Sequence, residues 1–137
     1  MPLIRTYIDT GVLMAAFQGN QECHEAAKSL LADANRELVG SQYLILELIP
    51  KPTFNKRQEE VDFMTAILGA FAEIAQSTPE ITTRAIDVDC DCDVAGIDAL
   101  HVGAALHLQA QELVTTEADT KPMFRVPGLK CTSILPK

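Results

Sequence analysis

The chain has 137 residues, 47% of them hydrophobic, with 19 acidic against 11 basic side chains for a net charge of −8. This size and composition suit a folded domain able to bury a core without staples, and exclude a disordered or low-complexity chain. The acidic balance excludes a protein that coats nucleic acid through clustered Lys and Arg, but it bears on association rather than catalysis and suits a cation site or a basic protein partner.

From the N-terminus, the apolar and β-branched run Leu3 to Ile8 predicts a strand ending in a turn at Asp9-Thr10-Gly11. Val12 to Phe17 continues as an apolar helix start that stops at Gln18-Gly19-Asn20. Between Glu22 and Asn35, Ala26, Ala27, Leu30, Leu31 and Ala34 recur at helical spacing and mark an amphipathic helix. Glu37 to Gly40 is a brief strand. Ser41 suits the cap of the next helix, which carries Leu44, Ile45, Leu48 and Ile49 on its apolar side and ends at Pro50 and Pro52.

A polar, partly basic link, Lys51 to Gln58, leads into a long helix from Glu59 to Gln76. Its buried face holds Val61, Met64, Ile67, Leu68, Phe71 and Ile74, and Ser77-Thr78-Pro79 breaks it. Glu80 to Val88 leans towards a short helix, and the acidic stretch Asp87 to Asp93 reads as an exposed connection. Ile97 to Ala110 is apolar almost all round, the pattern of a central buried helix. Glu112 to Thr115 is a strand, Glu117 to Phe124 a loop or short turn, and Lys130 to Ile134 a last strand. Short strands alternating with helices predict a single α/β domain over 1–137, with a mostly parallel sheet and helices on both faces.

The longest apolar runs fall well short of the ~20 residues of a membrane helix. Met1 to Asp9 shows no basic flank followed by a long apolar core, so a cytoplasmic address is expected. Cys90 and Cys92 form a C-x-C without a second pair, and His24, His101 and His107 stand at no zinc spacing with the cysteines. Cys23, Cys90, Cys92 and Cys131 therefore read as reduced, structural residues.

Sites in open α/β sheets form beyond the carboxyl ends of the strands. Asp9 closes the first strand, Glu117 and Asp119 follow the strand ending at Thr115, Asp98 opens the most buried helix, and Glu47 sits in an otherwise apolar helix. Converging carboxylates must take up protons or share cations. Hard cations such as Mg²⁺ and Mn²⁺ take oxygen ligands, and a pair ~3.5–4 Å apart can clamp the attacking and leaving oxygens of a phosphodiester. Each acid also has a plainer role: Asp98 as a helix cap, Asp9 in a turn, Glu47 as a solvated helix residue, Glu117 and Asp119 as loop acids. Only their joint placement points to a site.

Taken together, the segments Tyr7 to Leu13, Ser41 to Glu47, Gly96 to Ala105 and Leu113 to Asp119 resemble, in order and spacing, the four motifs of PIN domains. The closest is Asp98-Ala99-Leu100-His101, and Pro127-Gly128-Leu129 follows where these domains enter their last strand. The resemblance implies a PIN-like three-layer α/β/α sandwich and RNA hydrolysis by a water activated at a Mg²⁺ or Mn²⁺ site of Asp9, Glu47, Asp98 and Glu117. Thr10 and Thr115 would orient carboxylates through their hydroxyls. Many compact PIN domains are VapC-like toxins, usually homodimers silenced by an antitoxin, and that role would suit the acidic surface.

Two departures stand out. The fourth acid is usually Asp and is Glu117 here, with Asp119 close by as an alternative ligand. The basic cluster nearest the motifs is Lys51, Lys56 and Arg57, which either binds RNA phosphates or is a solvated patch. His101, one turn after Asp98, is expected to be a packed, hydrogen-bonded helix histidine. A receiver domain would need a second acid beside Asp9, and a haloacid-type phosphatase an acid where Gly11 stands. The remaining alternative is a PIN domain that only binds a protein partner.

Overall fold

Five short segments form the strands β1 (Ile4–Ile8), β2 (Arg36–Ser41), β3 (Glu73–Ala75), β4 (Glu112–Thr115) and β5 (Lys130–Ser133) in a computed structural model that describes residues 2–19 and 22–136, with Ile, Leu and Val concentrated in the central β1, β2 and β4. They make one sheet in the order β3-β2-β1-β4-β5, and every adjacent pair is parallel. The connections are α1 (Thr10–Phe17), α2 (His24–Leu31), α3 (Gln42–Leu48), α4 (Pro50–Phe54), α5 (Gln58–Gly69), α6 (Pro79–Cys92) and α7 (Gly96–His107), with a 3₁₀ turn at Pro122–Arg125 before β5.

Successive strand residues face opposite sides, so the central strands feed two cores. Tyr7 and Leu113 enter one core with Ile81 and Ala85 of α6 and Val102 and Ala105 of α7. Ile8 and Val114 enter the other with Val12, Leu44 and Met64, from α1, α3 and α5. The result is an α/β/α sandwich with a wholly parallel sheet.

The chain builds outward from β1 to β2 and β3, then crosses back to add β4 and β5 on the other side. The strand order therefore reverses between β1 and β4, and open α/β sheets bind ligands beyond the carboxyl ends of the strands at such a point.

At the opposite, amino end of the strands the charged residues are paired. Arg5 bridges Glu37 and Glu73 and donates through Nε to the Leu108 carbonyl at 2.7 Å. Arg36 bonds Glu112 at 2.7 Å, the Thr6 hydroxyl at 2.9 Å and Asp33 at 3.2 Å.

Several elements differ from the sequence-based expectation. The helix expected to run to Asn35 ends at Leu31, because the Asp33 carboxylate accepts from the Asn35 backbone N–H and turns the chain into β2. Ala26 and Ala34 are consequently exposed. The link after Pro50 contains α4, with that proline at its first position, where a missing N–H costs nothing. The long helix expected to reach Gln76 stops at Gly69, and Glu73–Ala75 forms β3, tied in by the Ala72 N–H to the Leu38 carbonyl. The acidic stretch expected to be a connection is the end of α6, which runs to Cys92 before Asp93 turns the chain with a left-handed φ of 59°. The expected stop at Gln18-Gly19-Asn20 falls partly on a residue outside the described ones.

α6 packs on α7 at Gly103, where an added Cβ would stand 3.0 Å from the Ile81 carbonyl oxygen and 3.1 Å from the Ala85 nitrogen. Both are backbone atoms that cannot swing away. Gly103→Val is expected to destabilise the fold by about 1–3 kcal/mol through overpacking, read as a lower urea midpoint with an unchanged slope.

Candidate active site

Asp9 is the residue after β1 and caps α1, accepting from the Thr10 backbone N–H on Oδ1 at 2.9 Å. The turn expected there is thus the helix start itself. Its Oδ2 accepts from the Thr115 hydroxyl at 2.7 Å, and the residue is buried, with 7% exposure. Thr115, the last residue of β4, also accepts the Glu117 backbone N–H at 3.0 Å. One threonine therefore ties Asp9 to the turn that carries Glu117.

Thr10 does the same on the other side, donating its hydroxyl to Glu47 Oε1 at 2.6 Å. Glu47 lies near the end of α3, and the same Oε1 is bonded by His101 Nε2 at 2.5 Å. That bond from His101, against the opposing effect of burial and with help from Thr10, holds the Glu47 carboxyl below its ordinary range. Its Oε2 accepts no hydrogen bond from the described residues.

Asp98 is the third residue of α7, not its cap; Ala95 holds the cap position without a side-chain bond. Burial first, then the negative charges of Asp9 and Glu117, push the Asp98 carboxyl above its ordinary value, with His101 opposing and Glu47 adding to the rise. Among the described residues no Lys or Arg forms an ion pair with Asp9, Glu47, Asp98 or Glu117. The chain neutralises its acids at one end of the sheet and leaves them uncompensated at the other.

Asp119 follows two residues after Glu117. It is exposed and lines a groove of about 480 Å³ beside β5, with Phe124, Cys131 and Ser133. Lys51, Lys56 and Arg57 lie exposed around the α4–α5 junction, where Arg57 pairs with Glu60 at 3.4 Å.

Sequence reasoning missed three contributors. Ser41, expected to cap α3 with its hydroxyl, instead bonds the Tyr7 hydroxyl at 2.7 Å inside the core. Tyr7 in turn bonds His101 Nδ1 at 2.7 Å, and His101 is only 1% exposed. Gly11 lets the start of α1 approach the end of β4: a Cβ there would stand 2.0 Å from the Thr116 hydroxyl oxygen. The buried tyrosine two residues before Asp9 was the available signal for the first two, since alternation turns Tyr7 into the core that α7 covers.

The donor set is all oxygen, negatively charged and, His101 on Glu47 apart, without a basic partner among the described residues, which suits a hard divalent cation such as Mg²⁺ or Mn²⁺. Among the described residues no three His, Cys, Asp or Glu side chains close on a ready-made cage. The acids share one electrostatic field rather than a single point.

The PIN domain family model matches residues 6–127. No curated protein sequence matches the chain. The fold is similar to VapBC2 from Rickettsia felis bound to a promoter DNA fragment, with a TM-score of 0.73 and 18% identity over 94% of this chain and 98% of that one. A toxin–antitoxin complex from Klebsiella pneumoniae gives a TM-score of 0.70 and 20% identity, covering 90% and 94% of the two chains. VapC20 of Mycobacterium tuberculosis, a toxin that cleaves the sarcin–ricin loop, gives 0.62 and 18%, covering 79% and 86%.

Proposed function

The chain belongs to the PIN domain family, and on that footing we propose that it is a metal-dependent endoribonuclease acting as the toxin of a toxin–antitoxin pair. The observation that carries this reading is the group of acids that, among the described residues, pair with no Lys or Arg where the strand order reverses. Support also comes from the solved structures of similar fold, which include toxin–antitoxin complexes and a toxin that cleaves RNA.

Asp9, Glu47, Asp98 and Glu117 would hold Mg²⁺ or Mn²⁺. Bound there, a divalent ion supplies the positive charge that stabilises the attacking and leaving oxygens of an RNA phosphodiester. The chain's own part is positioning. Thr10 and Thr115 fix Asp9 from both sides, Thr10 and His101 hold Glu47 by one oxygen, and Asp98 presents its carboxylate from the first turn of α7. Lys51, Lys56 and Arg57 offer phosphate contacts on the segment that follows α3.

A basic antitoxin tail would complement both the site and the net charge, and the reading includes a homodimer and a cytoplasmic address. Among the described residues no helix is long and apolar enough to cross a membrane.

The purified protein is expected to cleave RNA with Mn²⁺ or Mg²⁺, to stop on chelation and to recover when metal is returned. Glu117→Ala should lower the rate by at least ~10-fold, the lower end of what disturbing a ligand environment costs, whereas Asp119→Ala should stay within about twofold. The reverse ranking would move the fourth ligand to Asp119. Neither cleavage nor metal binding under any of these conditions would leave a partner-binding PIN domain.

A further inference from the structure

Buried polar side chains are normally satisfied by hydrogen bonds, so a core histidine with two partners needs no function by itself. His101 differs in where its second bond goes. From inside the core between β1, α3 and α7, its Nε2 reaches out to Glu47 Oε1, while Nδ1 faces the Tyr7 hydroxyl and that hydroxyl faces Ser41.

We propose that Tyr7 and His101 are positioning residues for Glu47, forming with Ser41 a fixed hydrogen-bond relay that turns its Oε2 to the cation. The inference rests on the reading of Glu47 as a ligand. A carboxylate only accepts, so Nε2 carries a proton and donates it to Glu47. With the ring neutral, Nδ1 accepts from the Tyr7 O–H and the Tyr7 oxygen from the Ser41 O–H; with both ring nitrogens protonated, Nδ1 donates to the Tyr7 oxygen and the Tyr7 O–H to Ser41. In either state each buried polar atom is satisfied, and no group is left to rotate.

The second donor strengthens the assignment. Thr10 Oγ1 and His101 Nε2 take the same carboxylate oxygen from two different helices, which holds the carboxylate plane against rotation. Buried Leu44 and Leu48 hold α3 in the core, and among the described residues Thr10 and His101 are the side chains that bond the Glu47 carboxylate itself. Partners of this kind fix the orientation of ligating groups, and their loss costs about 10–100-fold in metal affinity.

The test is Mn²⁺ titration of the RNA-free protein, by calorimetry or by the loss of the free-ion electron spin resonance signal. Wild type, Tyr7→Phe, His101→Leu and His101→Gln are compared, with a thermal melt of each. Tyr7→Phe keeps the ring and deletes the hydroxyl, and is expected to weaken Mn²⁺ about 10-fold; His101→Leu is expected to weaken it about 10–100-fold. His101→Gln retains an N–H at the position of Nε2 and should recover most of that loss, which a purely structural role does not predict. Wild-type affinity in Tyr7→Phe and His101→Leu overturns the relay while leaving the metal site standing. Equal losses in His101→Gln and His101→Leu also overturn it. A wild type that binds no Mn²⁺ overturns the metal reading itself, and this inference with it.

Discussion

Asp98→Asn is expected to eliminate RNA cleavage while leaving the protein at least as stable as the wild type. At the third position of α7 the helix dipole favours a negative charge by about 0.3–1 kcal/mol. Even so, the Asp98 carboxyl sits above its ordinary value, so burial and the charges of Asp9 and Glu117 outweigh the dipole. Asparagine keeps the shape and removes the larger, unfavourable contribution. It also removes an anionic ligand, so the loss of rate should exceed the ~10–100-fold that follows from disturbing a ligand's partner. Single-turnover cleavage and a thermal melt of the metal-free protein read the two effects. Cleavage near the wild-type rate would remove Asp98 from the site, and a lower melting temperature would mean the carboxylate serves the fold.

Arg36→Met is expected to have the largest effect on stability, with little effect on the site. The Arg36 and Glu112 side chains are 17% and 6% exposed, and Arg36 also holds Thr6 and Asp33 at the amino end of the sheet. Removing one member of a buried pair costs about 3–5 kcal/mol, and here it leaves Glu112 with the Thr132 hydroxyl and the longer pair to exposed Lys130 at 3.7 Å. At this chain length that is roughly a 10 °C fall in melting temperature. Burial alone would push the Glu112 carboxyl up; the bond from Thr132, the bond and charge of Arg36, and the charge of Lys130 together hold it below its ordinary 4.5. A folded pKa below the unfolded one stabilises fully above that value, and the contribution disappears as pH falls through the lowered pKa. The wild type should therefore lose part of its stability on acidification below about pH 4.5, and Arg36→Met should show a shallower acid limb. A melting temperature within 2–3 °C of the wild type (about 1 kcal/mol or less) would show that the pair contributes little.

Much of the sheet and the order of the acids were legible in the chain because they depend on local pattern. β1 and α7 are apolar enough to be read without neighbours, and Asp9 and Asp98 sit at their ends. What was not legible depends on contacts distant in sequence. β3 continues the helical spacing of Phe71 and Ile74, and its pairing with β2, led in by the Ala72 N–H to the Leu38 carbonyl, makes it a strand. The end of α6 looked like a connection because its acids are solvated helix positions, which carry no apolar period. Ser41 has the composition of a cap, but Tyr7, 34 residues away, takes its hydroxyl. Whether Glu117 or Asp119 faces the other acids depends on the turn after β4, where the Thr115 hydroxyl accepts the Glu117 N–H, a contact no local pattern announces.

The most direct measurement of the central claim is the anomalous diffraction of a crystal grown with Mn²⁺. The expected result is a peak beyond the carboxyl ends of β1 and β4, bonded by oxygens of Asp9 and Asp98, with Glu47 Oε2 and Glu117 turned towards it. A peak confined to the acidic end of α6, or no peak at a Mn²⁺ concentration that supports cleavage, would contradict the account.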